Sequence, residues 1–172
     1  MRRKFYAIGA VAMLTVLALA ASAGAVKVGD NIPGFWLKDA DGKKFGIEQY
    51  AGKKVVLISF WASWCKPCLV EMVALQALYK RHDGKDLEIL SINGDTSSGL
   101  AKAKQIVARK AVTYPVLYDT NSKVQSLLNP RGFFPFNILV DKSGAIVYTH
   151  QGYNAGDEKA LEDEIAKALD EG

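Results

Sequence analysis

One junction constrains the fold more than anything else in the chain: Val55-Val56-Leu57-Ile58-Ser59-Phe60, then Trp61-Ala62-Ser63-Trp64, then Cys65-Lys66-Pro67-Cys68. The first six residues are an almost unbroken apolar and β-branched run, which suits a central strand covered on both faces. After the motif, Cys68, Met72, Leu75 and Tyr79 fall at i, i+4, i+7 and i+11, and Leu69, Val73 and Leu78 widen the stripe. That pattern predicts a helix with one buried face, ending near Asp83-Gly84. A buried strand feeding an amphipathic helix belongs to a sheet with helices laid against it. The chain's only two cysteines sit at the turn between them.

The neighbouring segments extend this plan. Gly29-Asp30-Asn31 and Pro33 read as breakers, Phe35 to Lys38 as a short strand, Asp41-Gly42 as a hairpin turn, and Lys44-Phe45 as the return strand. One helical turn is expected from Ile47 to Tyr50. Beyond the cysteines, Leu87 to Ile92 reads as a second buried strand, Leu100 to Lys110 as a helix, Thr113 to Tyr118 as a strand and Ser122 to Leu128 as a short helix. Phe136 to Val140 and Ala145 to His150 flank Asp141-Lys142-Ser143-Gly144, a strong turn sequence, and should form an antiparallel hairpin. Asp157 is placed to cap a last helix whose stripe is Leu161, Ile165, Ala168 and Leu169. The order implies one α/β domain with a mixed sheet and helices on both faces.

The first residues read differently. Arg2, Arg3 and Lys4 precede an apolar run from Phe5 to about Ala20 and then Ala21-Ser22-Ala23-Gly24-Ala25, which holds two overlapping A-x-A sites. This is the pattern of a secretory signal peptide over residues 1–23, cleaved near 23–25, leaving a domain over 24–172. An uncleaved membrane anchor is the alternative, because the run is nearly long enough to span a bilayer. The formal charge of +4 comes largely from the leader, since 22 − 3 = 19 Lys and Arg then face 18 Asp and Glu. The domain has no basic bias, so nucleic acid is not an expected partner.

Two cysteines at i and i+3 on a helix can close a disulfide, hold a metal or carry out exchange. A static bridge across so short a loop stabilises a fold little. Zinc needs two more ligands, and His82 and His150 have no characteristic spacing to the pair. Haem attachment needs a histidine after the second cysteine, where this chain has Leu69. Exchange fits the context: a helix N-terminus favours thiolate at Cys65, Lys66 adds positive charge, and Pro67 suits the first turn. Cys65 is therefore the expected nucleophile, and Cys68 the resolving thiol. No metal and no dissociable cofactor is expected beyond the redox-active Cys65–Cys68 disulfide. Glu71 is expected on the solvated face of the helix.

Phe60-Trp61-Ala62-Ser63-Trp64-Cys65-Lys66-Pro67-Cys68 resembles the active-site segment of thioredoxin-like proteins, in particular exported thiol-disulfide oxidoreductases of the TlpA/ResA type. The resemblance covers about Val28 to Leu169. It implies a thioredoxin-like fold with an N-terminal hairpin and a central helix-strand insertion within Ser97 to Tyr118. It implies that Phe134-Pro135 is a cis bond facing the cysteines, leaving backbone groups to pair with a substrate peptide. Trp64, Lys66, Pro67, Phe134 and Pro135 are the expected substrate contacts. Thioredoxin itself resembles this strand but carries a buried Asp where Ser59 stands. In the ResA-type subgroup the acid comes from the end of the next strand, which matches Asp95, so Asp95 is expected to tune the thiols or relay a proton, a surface turn being the plain alternative. Phe133, Phe134, Phe136 and Asn137 make the edge near the thiols unusually aromatic, as a substrate groove or as core packing.

The implied activity is extracytoplasmic thiol-disulfide exchange with protein substrates, in the reducing direction, with apocytochrome c or cuproprotein assembly factors as the substrate class. A membrane-side electron donor and a monomeric state go with it. Two alternatives stand beside it. A peroxiredoxin-type peroxidase needs Thr where this chain has Ala62, and a thioredoxin-like copper chaperone of the Sco type spaces its cysteines CxxxC and adds a matched His.

Overall fold

The computed structural model describes residues 25–82 and 86–170. The expected leader, its cleavage site and the helix end at Asp83-Gly84 lie outside the described residues. Among the described residues no helix is long and apolar enough to cross a membrane.

Strands β1 (Trp36–Lys38) and β2 (Lys44–Gly46) form the expected antiparallel hairpin, followed by one turn of 3-10 helix at Ile47–Gln49. The main sheet contains β3 (Val55–Trp61), β4 (Leu87–Asn93), β5 (Val116–Tyr118), β6 (Phe136–Val140) and β7 (Ile146–Gln151), in the order β5-β4-β3-β6-β7. β3, β4 and β5 are parallel, whereas β6 and β7 run antiparallel as a hairpin. Helices are α1 (Lys66–His82), α2 (Leu100–Lys110), α3 (Lys123–Leu128) and α4 (Asp157–Asp170). The insertion is α2 with β5, and β5 extends the sheet beyond β4.

Alternation along the strands sorts the core into two layers. Val55, Leu57, Trp61, Leu87, Ile89 and Leu139 pack against α1, α2 and α4. Val56, Ile58, Phe60, Leu90, Ile92 and Ile138 pack against α3 and the N-terminal hairpin. By the same parity Ser59 and Asn137, paired opposite each other in β3 and β6, face the α1 layer.

Two boundaries differ from expectation for local reasons. β5 starts at Val116 rather than Thr113 because Gln76 of α1 takes up Thr113 instead: the Thr113 amide donates to Gln76 Oε1 at 2.7 Å and Gln76 Nε2 donates to Thr113 Oγ1 at 2.8 Å. Asp157 is the first residue of α4, and its carboxylate accepts the upstream Asn154 amide at 2.7 Å, so it fastens the turn before the helix.

Candidate active site

β3 delivers the chain to the edge of the sheet, and Ala62 to Trp64 turn it into α1. The Cys65 amide donates to the Ala62 carbonyl at 3.0 Å, and the Leu69 amide donates to the Cys65 carbonyl at 3.3 Å, so Cys65 stands at the N-cap position. Cys65 and Cys68 are joined, with S–S 2.02 Å and Cα–Cα 5.3 Å. The Cys68 amide also donates to Cys65 Sγ at 3.3 Å, so an unpaired N–H of the first helical turn points at the outer sulfur. Lys66 and Pro67 follow on the exposed side of α1.

The loop before the cysteines is pinned from β4. Asp95 is 5% exposed, so it is no surface turn residue. Its carboxylate accepts the Ser63 amide at 2.8 Å, the Ser63 hydroxyl at 3.1 Å and Asn93 Nδ2 at 2.7 Å. Two of the three bonds hold the turn ahead of Cys65, and the third ties Asp95 to the end of β4. Gly99 makes room for it, since a Cβ there would lie 2.9 Å from the Asp95 side chain.

Phe134-Pro135 is cis. Asn129 brackets Phe133, donating to its carbonyl at 2.8 Å and accepting its amide at 3.1 Å, while the Pro135 carbonyl accepts the Gly152 amide at 2.9 Å. Phe134 lies between them, and its own amide and carbonyl make no backbone hydrogen bond among the described residues. Its ring meets Trp64 edge-on at 5.6 Å, and Gly94 permits this because a Cβ there would come within 2.7 Å of the Phe134 ring. Trp64 is 64% exposed, so the two rings form an apolar shelf beside Cys65. A cavity of about 450 Å³ adjoins the shelf, bounded by Ser63, Thr96, Lys102 and Gln125. Phe136 packs on Phe60 in the second core layer, at 6.4 Å between centroids, whereas Phe134 packs against both layers and also meets Trp64.

Glu71 corrects the sequence reading. It is 3% exposed, not on the solvated face of α1. One turn beyond Cys68 it falls in the same sector as Met72 and Leu75, and the facing strands supply two polar groups. Asn137 Nδ2 donates to Glu71 Oε1 at 2.6 Å, and Ser59 Oγ to Glu71 Oε2 at 3.5 Å. Burial pushes the carboxyl up to about 7 from 4.5, more than these two bonds lower it. The signal in the sequence was the strand pair: two polar residues in otherwise apolar runs, on the α1 side of the sheet, need a polar partner on α1.

The geometry can be compared with known proteins. The redoxin family matches residues 27–165. The thiol-disulfide oxidoreductase ResA of Bacillus cereus is 32% identical over 122 residues, which span 71% of this chain and 68% of that protein. ResA of Geobacillus thermodenitrificans is 35% identical over 125 residues, 71% of this chain and 68% of the relative. Among solved structures, a Chlorobium tepidum protein assigned as the thiol:disulfide interchange protein DsbE superposes with a TM-score of 0.76 at 26% identity, covering 84% of this chain and 99% of that one. The family match spans the sheet, the insertion and the CxxC helix, and the chain therefore belongs to the redoxin family, as a thiol-disulfide oxidoreductase of the ResA type.

Proposed function

We propose that this enzyme reduces protein disulfides outside the cytoplasm, cycling Cys65 and Cys68 between dithiol and disulfide with no dissociable cofactor. The Cys65 thiolate attacks a substrate disulfide. One substrate sulfur bonds to Cys65, and the other leaves with its electron pair and takes a proton. Cys68 then gives up its proton and attacks Cys65 Sγ, releasing the second substrate thiol and closing the bridge. Helix position supports these roles, since Cys65 caps α1 and receives the Cys68 amide, whereas Cys68 lies deeper.

Glu71 takes the proton that Cys68 loses. Ser59 cannot titrate, and a carboxyl held near neutrality one turn from Cys68 is suited to accept and return a proton. Asp95 acts as a positioning residue, fixing Ser63 and Trp64 so that Cys65 meets its target. The unpaired backbone of Phe134 pairs with the substrate chain ahead of Pro135, and Trp64, Lys66 and Pro67 flank it. The leader supports export. The ResA-type resemblance supports apocytochrome c or cuproprotein assembly factors as substrates, a membrane-side electron donor and action as a monomer.

The observation that carries this reading is the Cys65–Cys68 bond at the head of α1, with the neighbouring Trp64 ring against that of Phe134, whose backbone makes no hydrogen bond among the described residues. Expressing Cys68→Ser in the native cell tests it. The reading expects substrate proteins trapped on Cys65 as mixed disulfides. Recovery of none, with the wild type inactive on model disulfides, contradicts it.

A further inference from the structure

Behind Glu71, away from the cysteines, the structure holds a second set of polar groups. His150 of β7 is paired opposite Asn137 of β6, so both side chains stand on the α1 side of the sheet. Two side-chain atoms there are buried without a hydrogen bond, Asn137 Oδ1 and His150 Nε2. Orphans of this kind are uncommon, and two of them share one place. A cavity of about 10 Å³ lies there, with Glu71, Asn137, His150, Asp157 and Glu158 on its polar side and Leu75 and Leu161 on its apolar side, at the lower limit of space for one water. Such a water would have the two to four polar partners that an internal water needs.

The same groups lead outward. His150 Nε2 lies 3.5 Å from Asp157 Oδ2, outside hydrogen-bond geometry but within ion-pair range, and these side chains are 36% and 32% exposed. The His150 ring is held in place by stacking on Tyr148, with centroids 6.1 Å apart and planes 6° from parallel. The other titratable groups around Glu71 are poor carriers. Burial raises the Tyr114 and Tyr148 phenols, and Tyr153, raised to about 12 by burial and by Glu158, donates to that carboxylate at 2.7 Å.

We propose that His150 and Asp157 form the solvent end of a proton path to Glu71, through one water held between Glu71, Asn137 Oδ1 and His150 Nε2. This rests on Glu71 being the group that takes the Cys68 proton. When Cys68 attacks, its proton passes to the Glu71 carboxylate, then to the water, whose own proton moves to His150 Nε2. Protonated His150, paired with the Asp157 carboxylate, then releases it to bulk solvent. One proton enters at Cys68 and one leaves at the surface, with no change of oxidation state along the path, and reduction of the bridge runs it backwards. The path lets Glu71 exchange protons while the substrate covers the cysteines from the other side.

The test is the single-turnover rate at which a preformed Cys65 mixed disulfide with glutathione is resolved, followed across neutral pH, with melting temperature measured beside it. His150→Gln should slow resolution about 10-fold or more, because general acid–base help of this kind is worth at least that. Added imidazole should restore the rate, and Asp157→Asn should give a smaller loss. His150→Gln resolving as fast as wild type, or a loss that imidazole does not relieve, overturns the path. Glu71→Gln separates the two levels of the argument. If it is slow while His150→Gln is not, only the path fails; if it is as fast as wild type, the role of Glu71 fails too. Should His150→Gln not fold, Asp157→Asn reads the same path from the surface, and an unchanged rate there overturns it.

Discussion

Two carboxylates flank the cysteine pair, and they sit at almost the same depth. Asp95, beyond β4, is met by three donors, two of them from Ser63. Glu71, inside α1, is met by one strong donor from Asn137 and one long contact from Ser59, and no backbone amide reaches it. Depth alone therefore does not decide what a buried acid does. Where donors are plentiful, and tie a loop to the end of a strand, the acid fastens that loop. Where they are few, burial dominates, and the carboxyl is left titrating near neutrality, beside a cysteine that must gain and lose a proton.

Removing the nucleophile should give the largest effect. Cys65→Ser should abolish exchange with model disulfides, a loss on the order of 10³-fold or more, because no other nucleophile replaces a thiolate. Stopped-flow reduction of a mixed-disulfide peptide measures it.

The next two substitutions break the comparison itself. Between 4.5 and about 7 folded Glu71 keeps a proton that the unfolded chain has released. Raising the pH through that window therefore favours unfolding, and the stabilisation present below it is lost as pH passes about 7. Denaturant titrations of the oxidised wild type should show this fall, roughly 3 kcal/mol in all, and Glu71→Gln should flatten it. Asp95→Ala removes the partner of Ser63 and Asn93, and should cost roughly 2–3 kcal/mol. A slope that persists in Glu71→Gln, or one that disappears with Asp95, would mean the two acids had been assigned the wrong way round.

How far this contrast could be seen in the sequence depends on which kind of signal carried it. The strand-to-helix junction, the insertion and the final hairpin are written in apolar periodicity, and their positions hold to within a few residues. Where boundaries moved, a side chain from elsewhere intervened, as Gln76 does at Thr113. The cysteine pair was legible because motif and context agree, and the cis bond at Pro135 because the segment resembles a known family. Glu71 was not, because a charged residue on an amphipathic helix ordinarily faces water. Its burial follows from Ser59 and Asn137 meeting across β3 and β6, a pairing that linear reading does not bring together. Asp95 was found as a residue, but its work as a fastener depends on the backbone of Ser63, 32 residues away.

The smallest effect belongs to the shelf. Trp64→Ala should change stability by about 1 kcal/mol or less, since the ring is mostly exposed and loses chiefly its edge contact with Phe134. It should instead weaken the capture of protein substrates while leaving small disulfides little affected, which steady-state KM values for the two kinds of substrate would reveal.

We propose Glu71, rather than Asp95, as the group that handles protons for the cysteine pair. The direct measurement is the pH profile of Cys65–glutathione mixed-disulfide resolution in the wild type, Glu71→Gln and Asp95→Asn. The wild type should show an inflection near pH 7 that is kept in Asp95→Asn and lost in Glu71→Gln. An inflection that survives in Glu71→Gln, or that vanishes in Asp95→Asn, would contradict it.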